Sequence, residues 1–153
     1  MVVDFTRLDK LFSALDNLNE DQIWLFAVDN DVQDEIIRIN TEDQLEEEGI
    51  DSLGRKLGDY APSTIAYKRR KGQRYDHVTL KDEGDFYNSF NVKVNVNEII
   101  IDADDSSKYN KPLFEVWGVD VLGLTDDNMN YIKEMILENY IKFVLNELLS
   151  YNW

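Results

Sequence analysis

From residue 126 onward the apolar residues fall into two neighbouring rows at four-residue spacing. Ile136, Tyr140, Val144 and Leu148 form one, and Leu137, Ile141, Leu145 and Leu149 the other. A strand, with its period of two, does not produce that spacing. It predicts a long helix running to about Tyr151, capped by Thr125, with Asp126 and Asp127 in its first turn, where carboxylates suit the positive end of the dipole. A helix lying on a single sheet needs one apolar row. Two adjacent rows predict a wide buried face, packed against a hairpin and against another helix or another subunit.

The rest of the chain supplies elements to pack there. Phe5, Leu8, Leu11, Phe12 and Leu15 predict a short amphipathic helix. A second helix is expected from Asn19-Glu20-Asp21, with Leu25, Val28, Val32, Ile36 and Ile39 as its stripe. Thr41-x-x-Gln44 has the form of a capping box, so a further turn is expected around Leu45, closed by Gly49 as a left-handed cap. Pro62 fits the first turn of a helix reaching about Lys71. One helical turn is expected over 85–89. Val78-Thr79-Leu80 reads as a short strand, and Leu113 to Trp117 as a third strand or extended segment. Phe90, Val92, Val94 and Val96 alternate with Asn91, Lys93 and Asn95, the pattern of a half-buried strand. A turn near Asn97 returns it through Glu98-Ile99-Ile100-Ile101-Asp102, and a polar loop over 104–111 follows. The expected fold is α+β: N-terminal helices, a basic loop-helix, an antiparallel hairpin or small sheet, and a long C-terminal helix.

A length of 153 residues suits one domain, divided into a helical part over 1–48, a basic loop-helix over 49–90, and the hairpin with its helix over 91–153. There is no cysteine, which removes disulfides, thiolate metal sites and a cysteine nucleophile. No apolar run is long enough to span a bilayer, and the N-terminus lacks the apolar core of a signal peptide. The expectation is a soluble protein of the cell interior, or of a particle assembled there, with no membrane contact.

Charge is unevenly spread. Between Arg55 and Lys81 eight cations (Arg55, Lys56, Lys68, Arg69, Arg70, Lys71, Arg74 and Lys81) face only Asp59 and Asp76, a net +6. With −15 overall, the remainder carries −21. Opposite fields on one molecule favour charged partners or self-association. The run Lys68, Arg69, Arg70, Lys71 has three readings: a solvated face, a docking element for an acidic neighbour, or a contact to phosphates. Tyr60, Tyr67 and Tyr75 interleave with the cations, as they do in protein interfaces and in single-strand binders alike. The expected interface is Arg55, Lys56, Tyr60, Tyr67, Lys68, Arg69, Arg70, Lys71 and Arg74.

Signals for chemistry are weak. His77 is the only histidine, and zinc or triad chemistry needs companions in defined geometry, so it reads as structural. Asp102, Asp104 and Asp105 lack the spacing of a calcium loop and read as a solvated turn. Asp82 and Asp85 flank Gly84 and read as turn and cap residues rather than an acid–base pair. Asp59, Asp76 and Asp82 with Lys68 show no nuclease spacing, and no glycine-rich phosphate loop follows a strand. No catalytic residue, metal ligand or cofactor site is expected.

The segment around the basic run resembles the tail-completion and virion-morphogenesis (neck, head-tail connector) proteins of tailed bacteriophages. The similarity lies in the order of the pieces. Gly49-Ile50-Asp51 and Gly54 precede Leu57 and Tyr60-x-Pro62-Ser63, then Tyr67-Lys68. Thr79-Leu80-x-Asp82-x-Gly84 and Ser89-Phe90 lead into the hairpin, and Leu122-Gly123-Leu124-Thr125-Asp126 opens the last helix. These pieces cover about residues 36 to 136. The family usually has Asp-Thr-Gly where this chain has Asp82-Glu83-Gly84, and often an Arg where it has Val119-Asp120-Val121. The resemblance implies a non-enzymatic virion protein, assembled in the host cytoplasm as a homo-oligomeric ring at the portal–tail junction. Its implied partners are itself, the portal and other neck or tail proteins, with non-specific proximity to DNA in the channel. The alternative is a nucleic-acid-binding module using residues 55–81.

Overall fold

The computed structural model describes residues 6–96, 98–105 and 112–150. Phe5, Asn97, Tyr151, most of the polar loop, and the side chains of Leu8, Leu11 and Leu15 lie outside the described set. Helices α1 (Thr6–Asp16), α2 (Glu20–Ala27) and α3 (Asn30–Arg38) lead into a π-helix, Ile39–Glu48. Then come α4 (Pro62–Arg70), α5 (Asp85–Asn88), strands β1 (Asn91–Asn95) and β2 (Glu98–Asp102), α6 (Leu113–Trp117), a 3-10 turn (Val119–Val121) and α7 (Asp126–Ser150). The class is α+β, with a two-stranded antiparallel sheet and a long C-terminal helix.

The expected second helix is broken into two. Asn19 caps α2 by accepting from the Asp21 and Gln22 amides, but at Asp29 the chain caps itself again, its carboxylate accepting from Val32 N at 3.0 Å. Gln33 Nε2 donates to Val28 O at 2.9 Å, which satisfies a carbonyl that α2 leaves open. The break rotates the stripe. Val28, Val32, Ile36 and Ile39 are buried, whereas Leu25 is 65% exposed.

Thr41 and Gln44 do not form a capping box. Both are buried inside the π-helix, where Thr41 Oγ1 bonds back to Ile37 O at 2.8 Å. Gly49 ends that helix at φ +62, as its left-handed position requires, and its N–H reaches Gln44 O. Two further expectations fail. The segment Leu113–Trp117 is a short helix rather than a strand, and it packs Leu113, Phe114 and Trp117 on a buried aromatic cluster. Val78, Thr79 and Leu80 form no strand, because Tyr60 Oη takes the Thr79 amide at 2.9 Å and Gly58 O the Val78 amide. Leu80, the next residue, sits at φ +58.

Val92 pairs with Ile101 and Val94 with Ile99 across the hairpin. These four line the face that packs on Val28, Val32, Ile36, Ile39, Leu124 and Ile132. A second cluster gathers Leu45, Phe86, Phe90 and Val121, and Ile101 touches both. Each fully buried aliphatic here stabilises the fold by about 1.5–3 kcal/mol relative to exposure.

Helix α7 follows its sequence in length but not in burial. Thr125 O accepts from Met129 N at 2.7 Å and Thr125 Oγ1 from Asn128 N at 3.5 Å, so Thr125 opens the helix. Ile136, Val144 and Leu148 are partly covered, and Phe143 stacks on Phe26 with centroids 5.0 Å apart. The second row is not covered by this chain: Leu137 is 55% exposed, Ile141 47%, Leu145 52% and Leu149 75%.

Candidate protein interface

The basic segment folds back on the acidic end of the π-helix. Three consecutive glutamates, Glu46, Glu47 and Glu48, close that helix, and a helix end leaves carbonyls without partners. Cations supply them. Lys56 Nζ donates to Glu48 O at 2.6 Å, and Arg74 donates to Glu47 O at 3.2 Å while pairing with its carboxylate at 2.7 Å. His77 Nε2 lies 2.9 Å from Glu46 O, and Lys81 pairs with the Glu46 carboxylate. Positive charge at a helix C-terminus also complements the dipole. The His77 ring packs so closely on Gly49 that a Cβ there would lie 2.3 Å from Cδ2. His77 thus holds the end of the π-helix from one side.

Other members are also engaged within the chain. Arg55 pairs with Asp51 at 2.7 Å and Asp120 at 2.6 Å, and the bond to Asp51 holds its guanidinium above its ordinary pKa. Asp51 in turn accepts from the Leu53 and Arg55 amides, so one carboxylate shapes the turn and anchors the cation. Lys71 pairs with Asp82 at 2.8 Å, a bond that raises its pKa. Tyr60 bonds Thr79 Oγ1 at 3.0 Å and lies under the Lys68 ammonium, 4.9 Å from its ring centroid.

The expectation that all four cations of the run face a partner therefore needs correction. Lys68 is only 4% exposed, and its ammonium donates to Lys81 O and Gln73. Folding accounts for Lys68 and Lys71. What stays outward is Arg69, stacked on Tyr75 with its guanidinium 4.8 Å from the ring centroid, and Arg70, which makes no polar contact among the described residues. Tyr67 and Tyr75 are exposed beside them. An open groove of about 410 Å³ adjoins this face, with Tyr60, Tyr67, Val78, Leu80, Leu113 and Trp117 in its walls.

Sequence reasoning missed a second device. Asn40 and Gln44, both fully buried, use their amides to hold the backbone that precedes α7. Asn40 Nδ2 donates to Val121 O at 3.0 Å, and Asn40 Oδ1 accepts from Gly123 N at 2.8 Å. Gln44 Nε2 donates to Gly123 O, while Gln44 Oε1 accepts from Thr125 N and Asn128 Nδ2, each at 2.9 Å. The Leu122-Gly123-Leu124-Thr125 element is thus read by two amides four residues apart. Their spacing was visible in the sequence, but a polar pair of that kind ordinarily marks a solvated face.

Asp102 pairs with Lys93 at 2.9 Å, which lowers its pKa, and it accepts from Ala103 N. Asp85 sits in the first turn of α5. Among the described residues, no cluster of three or more His, Cys, Asp or Glu side chains is arranged to hold a metal ion. Among them, too, no helix is long and apolar enough to cross a membrane. Comparison with known proteins found no matching family model, no matching curated protein and no matching solved structure.

Proposed function

We propose that this chain is a non-enzymatic structural subunit of a tailed-phage virion, a neck or tail-completion protein that assembles with copies of itself into a ring at the portal–tail junction. The observation that carries the reading is the uncovered apolar surface. Leu137, Ile141, Leu145 and Leu149 on α7, with Leu25 and Phe26 on α2, are exposed, and monomeric proteins rarely leave large apolar patches open. The pieces of the phage resemblance also belong to connected structure. Gly49 ends the π-helix, Asp51 and Gly54 shape the turn that Arg55 anchors, Tyr60 holds Thr79, and the Gly123 element is gripped by that same π-helix.

Arg69 and Arg70 are the cations available to an acidic neighbour, either a second copy or a portal or neck protein. Because neither holds an ion pair among the described residues, Arg69→Glu with Arg70→Glu should leave the fold intact. The expected result is unchanged denaturation together with loss of ring formation or portal attachment, restored by a compensating acid-to-base change on the partner. If the reversed variant assembles normally but loses a salt-sensitive DNA binding shown by the wild type, the nucleic-acid reading takes its place.

A further inference from the structure

We infer that α7 is a self-pairing helix: two copies of this chain join by laying their α7 helices antiparallel about a two-fold axis at Tyr140. The inference extends the assembly reading but rests on α7 alone, and no portal or phage partner enters it. At about 100° per residue, Leu137, Ile141 and Leu145 step round the helix by about 40° each and form an oblique ridge. All three are exposed, so the ridge is uncovered along its length.

What identifies the occupant is the order of residues on either side of the ridge. One flank carries Tyr131, Glu138, Lys142 and Leu149; the other carries Lys133, Tyr140 and Glu147. In an antiparallel two-fold pair each flank meets the same flank of its mate, running in reverse. An axis at Tyr140 then sets Glu138 against Lys142 of the second copy, and Lys133 against Glu147 of the second copy. Leu149, 75% exposed, meets Tyr131 of the second copy, itself 48% exposed. Tyr140 meets its own counterpart on the axis. Symmetry makes every unlike pair twice. A parallel arrangement in register would instead set each flank against the opposite flank of the mate, Glu138 and Lys142 beside Tyr140 and Lys133 beside Tyr131, so that no unlike charges pair.

These charges are also free to be used. Among the described residues Lys133, Glu138, Lys142 and Glu147 form no ion pair within the chain. The overlap from Tyr131 to Leu149 is about 28 Å of helix at 1.5 Å per residue. Such a contact is isologous and closes at two copies. A larger ring would need a second surface, and Arg69 and Arg70 lie on α4, outside this contact.

The absence of native cysteine makes the geometry directly testable. Lys133→Cys and Glu147→Cys chains, each otherwise wild type, are mixed under mild oxidation. The expected product is the mixed disulfide, with little bridging in either chain alone, because like positions sit roughly 20 Å apart in the antiparallel pair. A Lys133→Cys chain that bridges to itself as readily would overturn the antiparallel order. A charge test needs no cysteine. Glu138→Lys or Lys142→Glu alone should weaken the homodimer roughly tenfold, since each converts two attractive pairs to repulsive ones. Mixing the two variants should restore it as a heterodimer. Ile141→Asp should give a folded monomer. A dimer that survives Ile141→Asp, or a wild type that shows no mixed bridging, would overturn the proposal. Loss of portal attachment bears on the phage reading instead, so the two fail separately.

Discussion

Replacing Gln44 by Leu tests how the long helix is joined to the rest of the molecule. Leu nearly matches Gln in volume, so packing changes little and the effect is polar. The substitution removes three hydrogen bonds, to Gly123 O, Thr125 N and Asn128 Nδ2. Asn128 can turn its amide to water, but Gly123 O and Thr125 N belong to backbone pressed against the π-helix. Both groups are half-buried, so stranding them at about 1–2 kcal/mol each gives an expected loss of about 2–4 kcal/mol. Urea denaturation at unchanged m-value measures that loss. Amide exchange at Thr125, whose N–H donates to Gln44 Oε1, should quicken beyond the global change, which locates the damage at the helix start. Glu42→Ala, at an exposed carboxylate nearby that takes no part in this junction, should stay within about 0.5 kcal/mol. A loss below 0.5 kcal/mol for Gln44→Leu would refute the claim that the amide pair fastens α7.

Three further outcomes follow from the same structure. Gly49→Ala meets both the His77 ring and a left-handed φ of +62, so it should destabilise by more than the roughly 1–2 kcal/mol of the conformation alone; adding His77→Ala should recover the excess only. Leu45→Ala, in a fully buried site, should cost about 2–5 kcal/mol, whereas Ile141→Ala should cost below about 1 kcal/mol in the monomer and act on association instead. The hydrogen bond from Arg38 holds the Glu35 carboxyl below its ordinary value; a folded value below the unfolded one means its contribution is complete above roughly pH 4.5 and is lost as pH falls. Arg38→Met should therefore flatten the acid limb of a stability–pH curve, and an unchanged limb would contradict the pairing.

The elements with strong local signals were legible in the sequence. The period-two alternation gave the hairpin, Pro62 the start of α4, and Gly49 the end of the helix before it. What failed depended on contacts between distant residues. Asp29 restarts a helix that the apolar stripe describes as continuous. Thr41 and Gln44 mimic a capping box, but tertiary partners 79 and 81 residues from Gln44, at Gly123 and Thr125, claim that amide. The segment Leu113–Trp117 is apolar at nearly every position, and so short a run does not separate strand from helix. At the candidate interface Arg55, Lys71, Arg74 and Lys81 pair with acids of the same chain. Glu46, Glu47, Asp51, Asp82 and Asp120 provide that acidic surface. Net charge along a sequence does not reveal which charges fold onto one another. The double row on α7 was read as one wide buried face, whereas this chain partly covers Ile136, Val144 and Leu148 of one row and leaves the other exposed, the face that the proposed self-pairing would cover.

The most direct measurement of that claim is the native mass of the purified wild-type chain across a concentration series. Association through α7 predicts a particle of two chains, or an even number of them, each of 17.9 kDa, reverting to one chain in the Ile141→Asp variant. A single-chain mass at tens of micromolar, with α7 helical and Ile141 exposed, would contradict it.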